Sequence, residues 1–97
     1  MQVETTEAFD AWLDSLKDHM TRIRLSRRVD KAMRGLLGDV QPVGEGVFEM
    51  REFFGAGWRM YYIQRGPILI VMLGGGDKST QQADIAAAIA LSKTLPE

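Results

Sequence analysis

The spacing of apolar residues changes twice along this chain of 97 residues, and the two changes restrict how it can fold. Between about residues 5 and 37 the apolar side chains recur every three or four positions, as on one face of a helix. Between about residues 47 and 73 they alternate or run continuously, which is typical of strands, and helical spacing returns after residue 79. The order helix, helix, three strands, helix predicts an α+β domain, which residues 1–4 could precede as a short leading strand.

The N-terminal third is predicted to form a helical hairpin. The first helix presents one apolar stripe, which comprises Phe9, Trp12, Leu13, Leu16 and Met20. Thr5 or Thr6 can cap its first turn. The second helix is predicted over residues 21–37, where Gly35 signals its end. Its apolar face comprises Leu25, Val29, Ala32, Met33 and Leu36.

Three strands joined by tight turns are predicted to form an antiparallel meander over residues 47–53, 58–64 and 67–73. Residues 68–73 are apolar without interruption, so both faces of the third strand should be covered. A last helix is predicted behind Ser79 and Gln82, which are spaced as a capping box. Residues 1–97 are expected to form one domain, because about 100–150 residues is the usual domain size.

Charged residues gather on one face of the predicted hairpin. With its turn centred on Gly55, Arg51 lies opposite Arg59 and Glu49 opposite Tyr61, while the other face is almost wholly apolar. Two opposed arginines repel each other, and the carboxylate of Glu49 can neutralise the charge of only one of them. The planar fork of arginine matches a phosphate group, so the remaining charge favours a bound anion. The alternative is structural, with Arg51 paired to a neighbouring glutamate and Arg59 lying over an aromatic ring.

The glycine-rich segment GGGDKSTQ follows the third strand and leads into the last helix. In a meander the end of the third strand can lie beside the middle strand, so Lys78 could join Arg59 and Arg51. Glycine N–H groups and the helix N-terminus would add positive potential there. The Walker pattern for nucleotide phosphates is absent, and close packing with a helix cap is the alternative explanation for this segment.

The second helix is strongly basic, whereas the first is acidic. Arg24, Arg27, Arg28 and Lys31 lie in a run that contains a single acidic residue, Asp30. These four cations could form a secondary contact with the phosphate backbone of RNA. The alternative is a solvated face with some ion pairs between the two helices.

Composition excludes several classes of site. The chain has no cysteine and a single histidine, His19, so disulfides, thiolate nucleophiles and zinc–thiolate centres are ruled out, and no metal or cofactor is expected. The formal net charge is −1, so any affinity for a polyanion must come from local clusters. No stretch approaches the ~20 apolar residues that span a bilayer, and the acidic N-terminus lacks a signal pattern, so we expect a cytoplasmic protein without membrane contact.

Several motifs together resemble the RelE/ParE toxin superfamily, and in particular its addiction module killer protein branch, which is related to HigB-type toxins. The similar segments, which span nearly the whole chain, are FDAWLDSLKD, LLGDVQPVGEGVFEMR, GAGWRMYY and LGGGDKSTQQADIAAA. The resemblance implies a RelE-like fold, in which a helical hairpin packs on a small antiparallel sheet.

The resemblance also implies a function. RelE-like toxins cleave messenger RNA in the ribosomal A site without metal, using basic residues on the concave face of the sheet. The conserved arginine on the Y-R-x-x-Y strand of these toxins corresponds to Arg59. The basic residues on the strand before it fall near Glu49 and Arg51, and the basic residue after the last strand falls at Lys78. The implied reaction is attack of a ribose 2′-OH on the adjacent phosphate, with Glu49, Tyr61 and Lys78 as candidate acids or bases.

The partners implied by the resemblance are RNA, the ribosome and a helix-turn-helix antitoxin that would form a hetero-oligomer with this chain. Two other functions stay open at this point. A ParE-like inhibitor would bind DNA gyrase and cleave no RNA. An inactive toxin would retain only its binding to the antitoxin.

Overall fold

A computed structural model of the protein describes residues 1–96. The elements in chain order are β1 (Gln2–Thr5), α1 (Glu7–Ser15), α2 (His19–Met33), β2 (Val40–Gly44), β3 (Val47–Arg51), β4 (Arg59–Arg65), β5 (Leu69–Gly76), a 3₁₀ turn (Lys78–Thr80) and α3 (Gln81–Thr94). The strands form one sheet in the order β1-β5-β4-β3-β2. β1 runs parallel to β5, and all other neighbours are antiparallel. The predicted α+β class is confirmed.

The predicted meander forms the centre of the sheet as β3, β4 and β5, and one strand is added on each side. The short leading strand pairs in parallel with β5, so the sheet is mixed rather than purely antiparallel. β2 occupies a segment that the sequence predicts as turns, because it contains Pro42 and Gly44. Proline is tolerated there, since β2 is an edge strand and its pairing with β3 is irregular between these two residues.

The first helix is shorter than its apolar stripe suggests. Thr6 caps α1 as predicted, because its hydroxyl oxygen accepts a hydrogen bond from the backbone N–H of Phe9 at 3.1 Å. The helix ends at Ser15, and a new helix begins at His19. Met20 therefore belongs to α2 and is 59% exposed, which corrects its assignment to the buried stripe of the first helix.

The second helix ends four residues before the predicted boundary, in a Schellman motif at Gly35. The backbone of Gly35 is left-handed, with φ of +81°, and its N–H donates to the carbonyl oxygen of Ala32 at 2.9 Å. The N–H of Leu36 donates to the carbonyl of Lys31 at 2.9 Å. Because α2 stops there, Met33 and Leu36 are largely exposed, and the prediction that they complete its apolar face is wrong.

Both faces of the sheet are covered, as the uninterrupted apolar run in β5 predicts. One face carries Met50, Met60 and Tyr62, which belong to the core beneath α1 and α2. The other face carries Tyr61 and Leu73, which pack with the buried and half-buried side chains of α3. Each fully buried large side chain contributes about 1.5–3 kcal/mol, so the two cores fix α3 and the helical hairpin on opposite sides of the same strands.

Candidate functional site

The hairpin of β3 and β4 has the register that the sequence predicts. Arg51 pairs with Arg59, and Glu49 pairs with Tyr61. Side chains alternate along a strand, so all four lie on the face that α3 covers. Four of the five predicted catalytic residues are thus neighbours on two strands, but their side chains differ in exposure and in partners.

Arg59 is buried but makes few hydrogen bonds to its surroundings. It is 9% exposed, its Nη1 donates to the carbonyl oxygen of Gly57 at 2.7 Å, and its Nε lies 3.6 Å from Oε2 of Glu49. The same Glu49 oxygen accepts a hydrogen bond from Nε2 of Gln81 at 2.9 Å. Among the described residues Nη2 of Arg59 has no hydrogen-bond partner. Arg59 is therefore held by a carboxylate instead of an aromatic ring, and it retains free donors.

Lys78, in the 3₁₀ turn after β5, lies beside the turn that leads into Arg59 at the start of β4. A Cβ atom built on Gly57 would be 3.1 Å from Nη1 of Arg59 and 3.4 Å from Cβ of Lys78, so both side chains leave the backbone beside this glycine. The backbone N–H of Lys78 donates to the carbonyl of Ala56 at 3.3 Å. Lys78 is exposed, and no carboxylate of residues 1–96 pairs with its ammonium group. We call these two residues the Arg59–Lys78 cluster.

Arg51 faces away from this cluster although it lies opposite Arg59 in the ladder. Its Nη2 is 3.1 Å from Oδ1 of Asp39, just before β2, and its guanidinium carbon is 5.6 Å from the centre of the Phe53 ring. The repulsion between the two arginines is thus relieved by separate carboxylates, Asp39 for one and Glu49 for the other. The structure does not bring the guanidinium of Arg51 into the cluster.

Glu49 and Tyr61 lie in the interior beneath α3. Glu49 is 2% exposed and Tyr61 is fully buried. Burial, and then the negative charge of Glu49, raise the pKa of Tyr61 well above its ordinary value. The Tyr61 hydroxyl makes no well-formed hydrogen bond in the described part of the chain, although the Glu49 carboxylate is near enough to contribute to this rise in its pKa. Two of the three predicted acid–base candidates are therefore side chains that solvent hardly reaches, and one of these two, Tyr61, stays protonated at neutral pH.

The three consecutive glycines are strand residues rather than a phosphate loop. Gly76 and Gly75 end β5, where they pair with Arg59 and Met60 of β4. A Cβ on Gly75 would collide with the Trp12 ring, and one on Gly76 would collide with the Asp84 carboxylate. Close packing of α1 and α3 against the two faces of β5 therefore accounts for Gly75 and Gly76, whereas a Cβ on Gly74 would meet nothing within 4 Å.

The last helix begins differently from the predicted capping box. Asp77 accepts hydrogen bonds from the backbone N–H and the hydroxyl of Ser79, and these bonds lower the pKa of Asp77. Thr80 precedes α3 without capping it through its side chain, and its hydroxyl donates to Asp84 at 2.6 Å. Ser79 is thus the donor to a cap, and its predicted pairing with Gln82 is wrong.

The predicted RNA-binding residues of α2 separate into two groups. Arg24, Arg27 and Lys31 are exposed and line a cleft of about 230 Å³, whose wall also includes Glu52 and the buried Arg28. The guanidinium of Arg24 stacks 3.7 Å from the centre of the Phe54 ring, which keeps it in place on the surface.

Arg28 differs from its three neighbours because it points inward and is 8% exposed. Its five N–H groups donate to the carbonyl oxygens of Leu37, Asp39 and Arg51 and to the carboxylate of Glu52, at 2.8–3.2 Å. No donor remains for an RNA phosphate. Arg28 therefore fixes the loop after α2, and the prediction that it binds RNA together with its three neighbours is wrong.

Two residues that the sequence analysis does not select, Gly57 and Gln81, also shape the surroundings of Arg59. Gly57 has φ of +79° and leaves room for both cations, and the G-x-G turn directly before Trp58 is a sequence signal for it. Gln81 holds Glu49, but no local pattern marks it, because that contact depends on how α3 docks on the sheet.

Within residues 1–96, no three histidine, aspartate or glutamate side chains come together as metal ligands would. No helix in this part of the chain has the length and apolar character needed to cross a bilayer.

A Haemophilus influenzae protein described as uncharacterized is 38% identical to this chain over 95 residues, which is 98% of this chain and 96% of that protein. No protein-family model matches the chain, and no solved structure matches it. An identity of 38% over almost the full length of both proteins is a family relationship. The chain therefore belongs to the same family as this Haemophilus influenzae protein.

Proposed function

We propose that this protein is a cytoplasmic toxin of a type II toxin–antitoxin module, of the RelE/ParE superfamily, and that it cleaves messenger RNA without a metal ion. The observation that carries the proposal is the Arg59–Lys78 cluster, in which the guanidinium of Arg59 from β4 and the base of the Lys78 side chain from the turn after β5 lie beside Gly57. These are two of the positions that the resemblance to RelE-like toxins selects, the others being Glu49 and Arg51.

The cluster has the properties of a phosphate-binding site. Lys78 is exposed, and Arg59 retains unpaired donors at one edge. Glu49 holds Arg59 from behind and is itself held by Gln81, so the guanidinium is oriented before a ligand arrives. Preorganised cations of this kind stabilise charge that grows on phosphoryl oxygens during cleavage, and loss of one such donor typically costs about 10²–10³-fold in rate.

The three candidate acids and bases, Glu49, Tyr61 and Lys78, differ in how well they are placed to transfer a proton. Glu49 is engaged with two partners and hardly exposed, which suits a positioning role better than proton transfer. The raised pKa of Tyr61 makes it a poor base. Lys78 is exposed, so we assign to its ammonium group the donation of a proton to the 5′ oxygen as the P–O5′ bond breaks. The 2′ oxygen forms the new bond to phosphorus and gives up its own proton to solvent water, which leaves a 2′,3′-cyclic phosphate and a free 5′-OH.

The exposed cations of α2 supply a second contact with RNA. Arg24, Arg27 and Lys31 would meet phosphates flanking the cleaved bond or phosphates of the ribosome. Each phosphate neutralised there would steepen the salt dependence of binding. A helix-turn-helix antitoxin would bind the toxin as a hetero-oligomer and block one or both surfaces.

The proposal is tested by expressing Lys78→Ala in parallel with the wild-type chain while recording growth and mapping transcript ends. Lys93→Ala is the matched control, since Lys93 is also an exposed lysine at a helix end and its only described partner is the exposed Glu45. We expect growth arrest and new transcript ends from the wild type and the control, and a loss of about 10²-fold or more for Lys78→Ala.

Each alternative gives a different result in this experiment. Equal cleavage by Lys78→Ala would remove the Arg59–Lys78 cluster as the site. Growth arrest with intact transcripts and a DNA-damage response would assign the chain to the gyrase inhibitors. Normal growth with the wild-type chain would identify an inactive antitoxin-binding protein.

A further inference from the structure

A continuous groove runs along the side of α3 that faces β1 and the start of α1. Three adjoining cavities of about 250, 510 and 240 Å³ make up this groove. The first two share Ala8 and Leu91 in their walls, and the last two share Val71 and Leu95. We call this surface the α3 groove. It lies outside the Arg59–Lys78 cluster, since neither of those residues lines it.

One wall of the α3 groove is a ridge with helical spacing. Ala87 and Leu91 lie four residues apart in one row along α3, and Leu95, the residue that follows the helix as its C-cap, lies four residues further on; all three line the groove. Rows of this spacing are the ridges that pack into the surface grooves of another helix. The 14 residues of α3 give a wall of about 21 Å. The shape therefore suits a helical occupant rather than a small molecule.

The rim of the α3 groove is acidic, in contrast to the basic surface of α2. Glu4 and Glu7 stand on the β1 side, and Asp84 stands at the end nearest the start of α3. Arg65 is the one cation that lines the three cavities, at the far end. An acidic rim around an apolar floor attracts a segment that combines apolar residues with lysine or arginine.

We propose that the α3 groove binds a basic amphipathic helix of a partner protein, with its apolar stripe on Leu91 and Leu95 and its cations near Glu4 and Glu7. Burial of the apolar walls supplies affinity, and the acidic rim supplies orientation. The proposal is independent of RNA cleavage, because none of its residues belongs to the Arg59–Lys78 cluster.

Gly74 offers a direct way to fill the groove. It lines the first cavity, and a Cβ atom added there would meet nothing within 4 Å. The first carbon of a larger side chain would therefore fit at Gly74, unlike at Gly75, where Trp12 blocks the space. Gly74→Leu is thus the variant we choose to obstruct the groove.

The test is an NMR titration of the full chain with two synthetic helical peptides of about 15 residues, long enough to span the groove. Both peptides carry the same leucine stripe, and their remaining positions are lysine in one and glutamate in the other. We expect the lysine peptide to shift the amide signals of Ala8, Val71, Leu91 and Leu95, and the glutamate peptide to bind about tenfold more weakly or not at all. Gly74→Leu should weaken binding of the lysine peptide about tenfold or more.

A second variant keeps the proposal testable if Gly74→Leu does not fold. Glu4→Gln with Glu7→Gln changes two exposed side chains, and it should weaken the lysine peptide without affecting thermal unfolding. The proposal fails if the lysine peptide does not bind at about 1 mM, if its shifts lie outside the groove, or if neither variant weakens it. Self-association of the chain that Gly74→Leu abolishes would also overturn it, by assigning the groove to a second copy.

Discussion

Arg28 and Arg59 are equally buried, at 8% and 9% exposure, yet the protein holds them in very different ways. All five N–H groups of Arg28 are engaged, by carbonyl oxygens around the α2–β2 loop and by the Glu52 carboxylate. In the described part of the chain Arg59 donates one hydrogen bond, to Gly57, and stands 3.6 Å from the nearest oxygen of Glu49.

The comparison shows that burial alone does not separate a structural arginine from a functional one. Buried polar groups in proteins are nearly always satisfied, so a saturated arginine such as Arg28 fits the general rule and needs no ligand. A buried arginine with unused donors departs from that rule, and a bound phosphate would satisfy it. Hydrogen-bond occupancy therefore supports a functional role for Arg59 and a structural role for Arg28.

The largest expected effect is the loss of stability in Arg28→Met. This change would leave Glu52 without its cation and the carbonyl groups around the α2–β2 loop without donors, so we expect a loss of about 3–5 kcal/mol. Urea unfolding followed by circular dichroism measures it. Arg27→Met is the control, because Arg27 is exposed on the same helix and should change stability by less than about 0.5 kcal/mol. Equal stability of the two variants would contradict the structural role.

Arg59→Met should lower stability less than Arg28→Met while abolishing RNA cleavage. The ion pair with Glu49 is long, at 3.6 Å, and Gln81 still donates to Glu49 in the variant, so we expect a loss of about 1–3 kcal/mol. A double variant with Glu49→Gln removes the unpaired carboxylate and should recover part of that stability but no cleavage. Unfolding curves and transcript mapping separate the two effects. Recovery of cleavage in the double variant would exclude Arg59 as the phosphate ligand.

The hairpin register was predictable because its determinants are local. A short turn rich in glycine joins two alternating strands, so the pairing of Arg51 with Arg59 followed from the sequence. The meander order also placed Lys78 near Arg59. The edge strand β2 was missed, since Pro42 is tolerated only at an edge, and edge position is a property of the whole sheet.

The different roles of the basic residues on α2 could not be predicted from the sequence. Arg27 and Arg28 are adjacent and look equivalent in the basic run. Only the path of the chain after α2 brings the carbonyl groups of Leu37 and Asp39 to Arg28. The same holds for Gln81, whose partner depends on the docking of α3. Contacts between distant segments thus decided which predicted site residues face solvent.

Gly57→Ala should disturb the Arg59–Lys78 cluster at a small cost in stability. A left-handed alanine costs about 1–2 kcal/mol, and here the methyl group would also press on the guanidinium of Arg59 from 3.1 Å. Gly46→Ala is a matched control, since Gly46 has φ of +81° and nothing within 4 Å of its added Cβ. Both variants should lose similar stability, but only Gly57→Ala should lose cleavage. Equal cleavage would show that the geometry around Gly57 is not critical.

Tyr61→Phe is expected to have the smallest effect at neutral pH. The Tyr61 hydroxyl is buried without a hydrogen-bond partner in residues 1–96, so removing it should change stability by no more than about 1 kcal/mol and could increase it. Cleavage should persist, because a group held so far from solvent does not reach the substrate. A large loss of cleavage with unchanged stability would restore Tyr61 as a catalytic residue.

At alkaline pH the Tyr61 hydroxyl should affect the free energy of unfolding more strongly than it does at neutral pH. The pKa of Tyr61 is raised, first by burial and then by Glu49, so the folded protein keeps this proton at a pH where the unfolded chain releases it. The stabilisation is complete below about pH 10 and falls above it by up to about 1.4 kcal/mol per pH unit. Tyr61→Phe should remove this slope and leave the contribution of Tyr62, whose pKa burial also raises. Urea unfolding at pH 9 and pH 11 measures how steeply the free energy of unfolding falls with pH. Identical slopes in the wild type and in Tyr61→Phe would mean that the Tyr61 hydroxyl is already hydrated in the folded state.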